Sequence, residues 1–257
     1  MCQPESLIVL PLVEEILRSK QVRTVDGAAT LPLKDSINAE IGHLLQKLIA
    51  EKRPSVTMEI GLAYGLSTLC ICEALVKAGG RRHIAIDAFQ STMWNNIGLH
   101  HVRAAGFGDL LELREELSQD ALPRMVAEGL KVDFAYIDGT HTFDQKIVDF
   151  FYVDRILNVG GVIAFDDCDW PSIHQVCRFI ATNRPYRVCG STAGTPPGFR
   201  GRAVKWAARH SRNLRLVVKP HFMRPDEELG IQASARCIAF EKLDDYVVHP
   251  DYVFQDF

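Results

Sequence analysis

Two short stretches concentrate the residues able to do chemistry: Ile137-Asp-Gly-Thr-His141 and Phe165-Asp-Asp-Cys-Asp169. Each closes an apolar run with strand character, Val132–Asp138 and Gly161–Asp166. In a parallel sheet the tips of two such strands lie close together, so Asp138, Asp166 and Asp167 would converge. Clustered carboxylates repel one another, and a bound cation relieves that. Oxygen donors without a cysteine set or a histidine pair suit Mg2+ or another oxygen-loving divalent ion. The competing reading makes Asp166 and Asp167 caps of the following helix and Asp138 a turn residue beside Gly139. His141 stands three residues beyond Asp138, where an imidazole could remove a proton near neutral pH. It could also be a further ligand, or a helix-start residue with no chemical part.

A third stretch supplies a binding corner. Val56-Thr-Met-Glu-Ile-Gly-Leu-Ala-Tyr-Gly-Leu-Ser-Thr68 reads as a buried strand, a turn bracketed by Gly61 and Gly65, and an apolar helix from Leu66 to Val76. The glycines are spaced G-x-x-x-G, so the dinucleotide fingerprint G-x-G-x-x-G is incomplete. Glu59, at the strand end, would repel a phosphate and suits a cationic ligand such as S-adenosylmethionine (SAM). A second strand, His83–Asp87, ends in a carboxylate about 20 residues after the turn, the place from which ribose hydroxyls are held. Together the pair points to a nucleoside cofactor; ordinary turn glycines are the alternative.

These residues need a sheet to position them. Strands at Val56–Ile60, His83–Asp87, Leu110–Arg114, Val132–Asp138 and Gly161–Asp166 alternate with helical stretches, among them Trp94–Ala105 and Asp144–Leu157. Such alternation predicts an α/β, Rossmann-like, doubly wound sheet with helices on both faces. Asn158-Val-Gly-Gly161 is expected to break the helix before the fifth strand. A helix over Ile173–Asn183 and strands at Tyr186–Cys189 and Arg236–Phe240 complete seven strands, mostly parallel with an antiparallel last one. Residues 1–53 read as a helical N-terminal cap, with helices over Leu7–Ser19 and Ser36–Lys52, Ser36 as N-cap, and a loop over Thr24–Leu33. Between the last two strands, 190–235 is an insertion carrying Arg200, Arg202, Lys205, Arg209, Arg212, Arg215, Lys219 and Arg224. It is either a solvated excursion or a lid. Aromatic residues in the tail Tyr246–Phe257 suggest that it docks.

The chain of 257 residues is compatible with one domain; 47% of it is hydrophobic and its net charge is −3. No nucleic-acid signature appears in that balance, and no run is long enough for a transmembrane helix. Seven scattered cysteines without a C-x-x-C pattern indicate free thiols and a cytoplasmic setting rather than zinc or disulfides. Cys168, beside the acidic pair, reads as a packing residue first.

Glu59-Ile-Gly-Leu-Ala-Tyr-Gly-Leu-Ser-Thr68, Ala85-Ile-Asp-Ala-Phe-Gln90, Tyr136-Ile-Asp-Gly-Thr-His141 and Gly160-Gly-Val-Ile-Ala-Phe-Asp-Asp167 resemble class I SAM-dependent methyltransferases. The likeness is greatest to small-molecule O-methyltransferases of the catechol and macrocin (macrolide-sugar) types, and it covers roughly Ser36 to Tyr186. The resemblance implies that Glu59, Gly61 and Gly65 frame the methionine part of SAM. Ser67 and Thr68 would bind its carboxylate, Asp87 its ribose, and Glu116 and Ser118 would border the adenine, with Asp138 also at the cofactor. Asp138, Asp166 and Asp167 would hold Mg2+ or another divalent cation, and His141 would be the general base. Ala63 departs from the glycine common in the family, and the insertion lies outside the resemblance. The implied reaction is methyl transfer to a hydroxyl of a small metabolite (a sugar, polyol or phenol). The alternatives are a metal-independent N- or O-methyltransferase and a SAM-binding protein without catalysis. A homodimer through the N-terminal helices is compatible with the sequence.

Overall fold

Alternating side chains along one strand build both layers of the molecule. In Val132–Ile137, Phe134 and Tyr136 point into one apolar cluster while Ala135 and Ile137 point into another, the period of two that a two-faced sheet requires. The computed structural model describes residues 11–34, 36–194, 226–232, 234–246, 255 and 257. The expected helical residues 7–10 and the basic stretch of the insertion, 195–225, lie outside the described residues.

In chain order the elements are α1 (Pro11–Ser19), β1 (Gln21–Arg23), β2 (Thr30–Pro32), α2 (Ala39–Lys52), β3 (Val56–Ile60), α3 (Leu66–Ala78), β4 (Arg82–Ile86) and α4 (Ile97–Ala104). There follow β5 (Leu111–Arg114), α5 (Ser118–Ala127), β6 (Val132–Ile137), α6 (Phe143–Ile156), β7 (Leu157–Phe165), α7 (Pro171–Asn183), β8 (Tyr186–Ser191) and β9 (Ile238–Lys242). The main sheet has seven strands in the order β5-β4-β3-β6-β7-β9-β8. The five strands from β5 to β7 are parallel, and β9 runs antiparallel to both of its neighbours. This is the expected doubly wound sheet. On one face, Ile41, Leu45 and Ile49 of α2 and Leu69 of α3 cover the sheet. On the other, Leu122 and Met125 of α5, Phe150 and Val153 of α6 and Ile173 of α7 do so. Chain order reverses direction across the sheet at β3, which has β4 on one side and β6 on the other. A crevice at the carboxyl ends of the strands opens at such a point.

Several local expectations are corrected. The stretch Thr24–Leu33 is not all loop: Thr30–Pro32 pairs antiparallel with Gln21–Arg23. Asp26 and Gly27 turn the chain between them, with the Ala28 amide donating to Asp26 Oδ1 at 3.0 Å. Asn38, not Ser36, caps α2, its Oδ1 accepting from the Ile41 amide at 2.9 Å. Gly160 and Gly161 do not cap α6. That helix ends at Ile156 and leads straight into β7, where the two glycines serve a register shift against β6. A Cβ on Gly161 would lie 2.9 Å from the Asp133 carbonyl oxygen. The last strand begins at Ile238 rather than Arg236, which leaves Arg236 at the strand mouth.

Described residues of the tail dock on α7. The Phe257 ring meets Phe179 at 5.2 Å, and the Asn183 amide donates to the Gln255 carbonyl at 3.0 Å. Among the described residues no helix is long and apolar enough to cross a membrane.

Candidate active site

The glycine turn is held by backbone proximity that other residues could not tolerate. Gly61 has φ 96°, and a Cβ there would lie 2.3 Å from the Asp138 carbonyl oxygen. Gly65 has φ 81° and abuts the backbone of Gly98. Ala63 also takes a left-handed conformation, φ 46°, so the position where the family often has glycine retains the glycine-like geometry. Asp87 clamps the turn from β4. Its Oδ2 accepts from the Leu62 and Ala63 amides at 3.0 and 2.8 Å and from the Gln90 side chain at 3.1 Å, while Oδ1 accepts from the Phe89 amide at 2.8 Å.

Glu59 lies beneath the turn, fully buried, and does not border the open cavity. Its carboxylate accepts from Ser67 Oγ at 3.0 Å, from Thr68 Oγ1, and from His83 Nε2 at 3.2 Å. On the far side of that imidazole, Thr57 Oγ1 is 2.9 Å from Nδ1. Protonation at Nε2 satisfies the whole chain of groups. The acid expected to face a cationic ligand therefore fixes the start of α3 from within. Thr68 is buried with it, and Ser67 alone of the two hydroxyls reaches the cavity. His83 was not singled out by sequence. Its place at the start of a strand ending in Asp87 gave no sign that it would meet Glu59 across the β3–β4 pair.

One cavity of about 370 Å³ joins these parts. Around the side towards β4 stand Gly61, Gly65, Asp87, Phe89, Glu116 and Ser118; towards β6 and β7 stand Asp138, His141, Asp167, Trp170 and Arg236. Glu116 pairs with Arg124, and Ser118 Oγ donates to Asp149 at 2.7 Å, so both are held in place by α5 and α6. Ser36 and Ile37 line the cavity from the N-terminal section.

At the chemical end the strand tips do meet: the Asp138 amide donates to the Ile60 carbonyl at 2.9 Å, and the Asp166 amide to the Ile137 carbonyl at 3.2 Å. The three expected acids nevertheless part company. Asp167, with φ 55°, turns towards His141, whose Nε2 is 2.7 Å from Asp167 Oδ2 and 4.0 Å from Asp138 Oδ1. Asp138, His141 and Asp167 offer donor atoms within 4.8 Å of one another. Two carboxylates and an imidazole suit a divalent cation. Asp166 points away, fully buried, and its two oxygens receive the fork of Arg236 at 3.2 and 3.1 Å. Of the expected set Asp138, Asp166 and Asp167, the geometry gathers Asp138 and Asp167 beside His141, while Asp166 is engaged by Arg236. Sequence reasoning missed Arg236 because it read that residue as the first of a strand.

The carboxylates of Asp138 and Asp167 push His141 up to about 9, against burial. Burial works to raise Asp167, but the His141 hydrogen bond and charge outweigh it and hold the carboxyl low. Burial raises Asp138. It also raises Asp166, to about 7, with the Asp138 charge adding to the rise and Arg236 opposing it. Trp170 stands over the site with its ring 5.2 Å from that of His141, half exposed. Ser172 Oγ donates to the His141 carbonyl at 2.9 Å and fixes the loop. Cys168 is buried, its thiol pushed far up by burial, with Sγ 3.5 Å from that of Cys177; it packs. His101 and His174 bond to the Tyr64 and Cys168 carbonyls away from the cluster.

Residues 58–168 match the family model described as a methyltransferase domain. The chain matches this model over less than half of its length. It is 27% identical over 164 residues to a putative caffeoyl-CoA O-methyltransferase of Arabidopsis thaliana, covering 62% of this chain and 66% of that protein. It is 25% identical over 158 residues to catechol O-methyltransferase B of Danio rerio, covering 60% of this chain and 58% of that one. The chain therefore spans less than two thirds of the length of either relative. Among solved structures, the O-methyltransferase from Bacillus cereus in complex with SAH shares the fold, with a TM-score of 0.61 at 18% identity over 92% of this chain and 93% of that one. The matched residues run from β3 to the loop after β7, a span that contains the glycine turn, Asp87 and the whole acidic cluster.

Proposed function

We propose that this protein is a SAM-dependent O-methyltransferase acting on a hydroxyl of a small metabolite, assisted by a divalent cation and with His141 as general base. One observation carries the reading. A single cavity runs from the glycine turn and Asp87 to Asp138, His141 and Asp167, so a nucleoside-bearing methyl donor and an acceptor can meet inside it. SAM, when bound, supplies an electrophilic methyl group. Gly61 and Gly65 leave room for it, the N-terminus of α3 with Ser67 favours its carboxylate, and Asp87 borders the ribose position. Glu116 and Ser118 flank the base.

The donor set fits a divalent ion by its chemistry. Held by Asp138 and Asp167 beside His141, such an ion would lower the pKa of an acceptor hydroxyl and weaken the two carboxylates' hold on the imidazole proton. His141, once its Nε2 proton has passed to solvent, can take the hydroxyl proton at that atom. The Trp170 ring packs beside that imidazole. Placement of donor and acceptor in line does much of the rest. Purified protein incubated with labelled SAM and a panel of sugars, polyols and phenols tests the proposal. Label transfer that a chelator removes supports it. Chelator-resistant transfer would leave the metal-independent alternative, and SAM binding without any transfer would leave a binding protein.

A further inference from the structure

The division of the three acids follows from one residue. Arg236 lies two positions before β9, and its backbone is fixed by the Cys168 amide, which donates to the Arg236 carbonyl at 2.8 Å. From there Nε and Nη2 reach both oxygens of Asp166, and Nε stands 3.7 Å from Asp167 Oδ1. Nη2 also donates to the Ser36 carbonyl at 3.1 Å, so the fork is braced from the N-terminal section. Asp166 has no exposure to solvent, and Oδ1 also accepts from the Asp167 amide at 2.9 Å. A planar guanidinium on a buried carboxylate is a strong, directional pairing.

We propose that Arg236 is a positioning residue acting as a built-in counter-cation: it occupies Asp166, keeps that carboxylate from a divalent ion, and confines the ion to Asp138 and Asp167. The inference rests on the methyl-transfer reading only in taking those two acids as the cation's holders. Without the guanidinium, Asp166 would be a buried carboxylate lacking a counter-charge, at a strand tip beside Asp138. Neutralising Arg236 also removes a positive charge that repels the incoming ion. Loss of this arginine should therefore tighten cation binding, whereas loss of a residue that merely supports the fold should not.

The test uses the full chain, stripped of metal, and Mn2+ as probe, with free ion followed by electron paramagnetic resonance. Arg236→Gln is expected to bind Mn2+ at least about tenfold more tightly than the unaltered protein, and to gain more in melting temperature on adding the ion. In the double variant Arg236→Gln with Asp166→Asn, affinity should return to the unaltered range. Arg236→Lys, which keeps the charge but not the fork, should fall between, and it serves as the second measurement if the glutamine variant does not fold. Unchanged or weaker Mn2+ binding in a folded Arg236→Gln protein overturns the proposal, as does a gain that persists without Asp166, or no Mn2+ binding in any form. SAM titration of the unaltered protein is read separately: its failure would sink the methyl-transfer reading without bearing on which side chain Asp166 prefers.

Discussion

Gly61 shows how closely backbone and chemistry are joined. Its φ of 96° and the 2.3 Å approach of a would-be Cβ to the Asp138 carbonyl oxygen mean that any side chain must push apart the cofactor turn and the acid tip. Gly61→Ala should cost about 1–3 kcal/mol of stability through backbone strain alone, and more if β6 shifts. SAM affinity should drop with it, measured by calorimetry on protein still folded by circular dichroism. His141 belongs to the same scale. His141→Ala should lower methyl transfer by at least about 100-fold while leaving SAM affinity within about threefold. Rates in single-turnover assays check the first figure and titration the second. Undiminished transfer would remove the base assignment. Glu59 illustrates what spacing alone withholds. Its position before the turn was legible, but strand alternation turned its carboxylate inward to Ser67, Thr68 and His83 rather than towards a ligand.

At the scale of elements, the strands of the main sheet were legible because buried parallel strands read as apolar runs closed by acids or glycine. The misplacements came where competing local signals were equally good. Ser36 and Asn38 are both capping residues, and only the geometry of the Ile41 amide decides for Asn38. Gly160 and Gly161 resemble a helix stop but serve a strand irregularity against Asp133. Contacts between distant segments were not legible at all. Asp226, which follows the basic stretch, returns the chain to α7 by pairing with His174 Nε2 at 3.1 Å and with Arg178. Burial would raise the Asp226 carboxyl, but the His174 hydrogen bond and charge and the Arg178 contact hold it below its ordinary value. A carboxyl lowered on folding stabilises above its unfolded value, about 3.9, and the benefit is lost as pH falls through the folded value. Asp226→Asn should therefore melt earlier than the unaltered protein near neutral pH, with the gap closing below about pH 4. Melting curves of both proteins across that range check it; a gap that does not shrink would show that the charge is not what matters.

Over the whole molecule, the proposed reading sets cofactor and acceptor chemistry on opposite flanks of β3, with β4 on one side and β6 on the other. The cavity between them makes them one site. The methyltransferase likeness from residue 58 to 168 falls on that span and leaves the rim free: Ser36 and Ile37 on one side, Trp170 and Arg236 on the other. In that reading acceptor choice belongs to the rim, which sequence could not place because it comes from three separate parts of the chain. The central claim is that the glycine turn and Asp87 form a SAM site. Titration calorimetry of the purified chain with SAM tests it most directly. The account predicts one saturable site per chain, lost in Gly61→Ala and weakened in Asp87→Ala. Absence of any binding heat across a range of temperatures, with folded protein and fresh SAM, would contradict it.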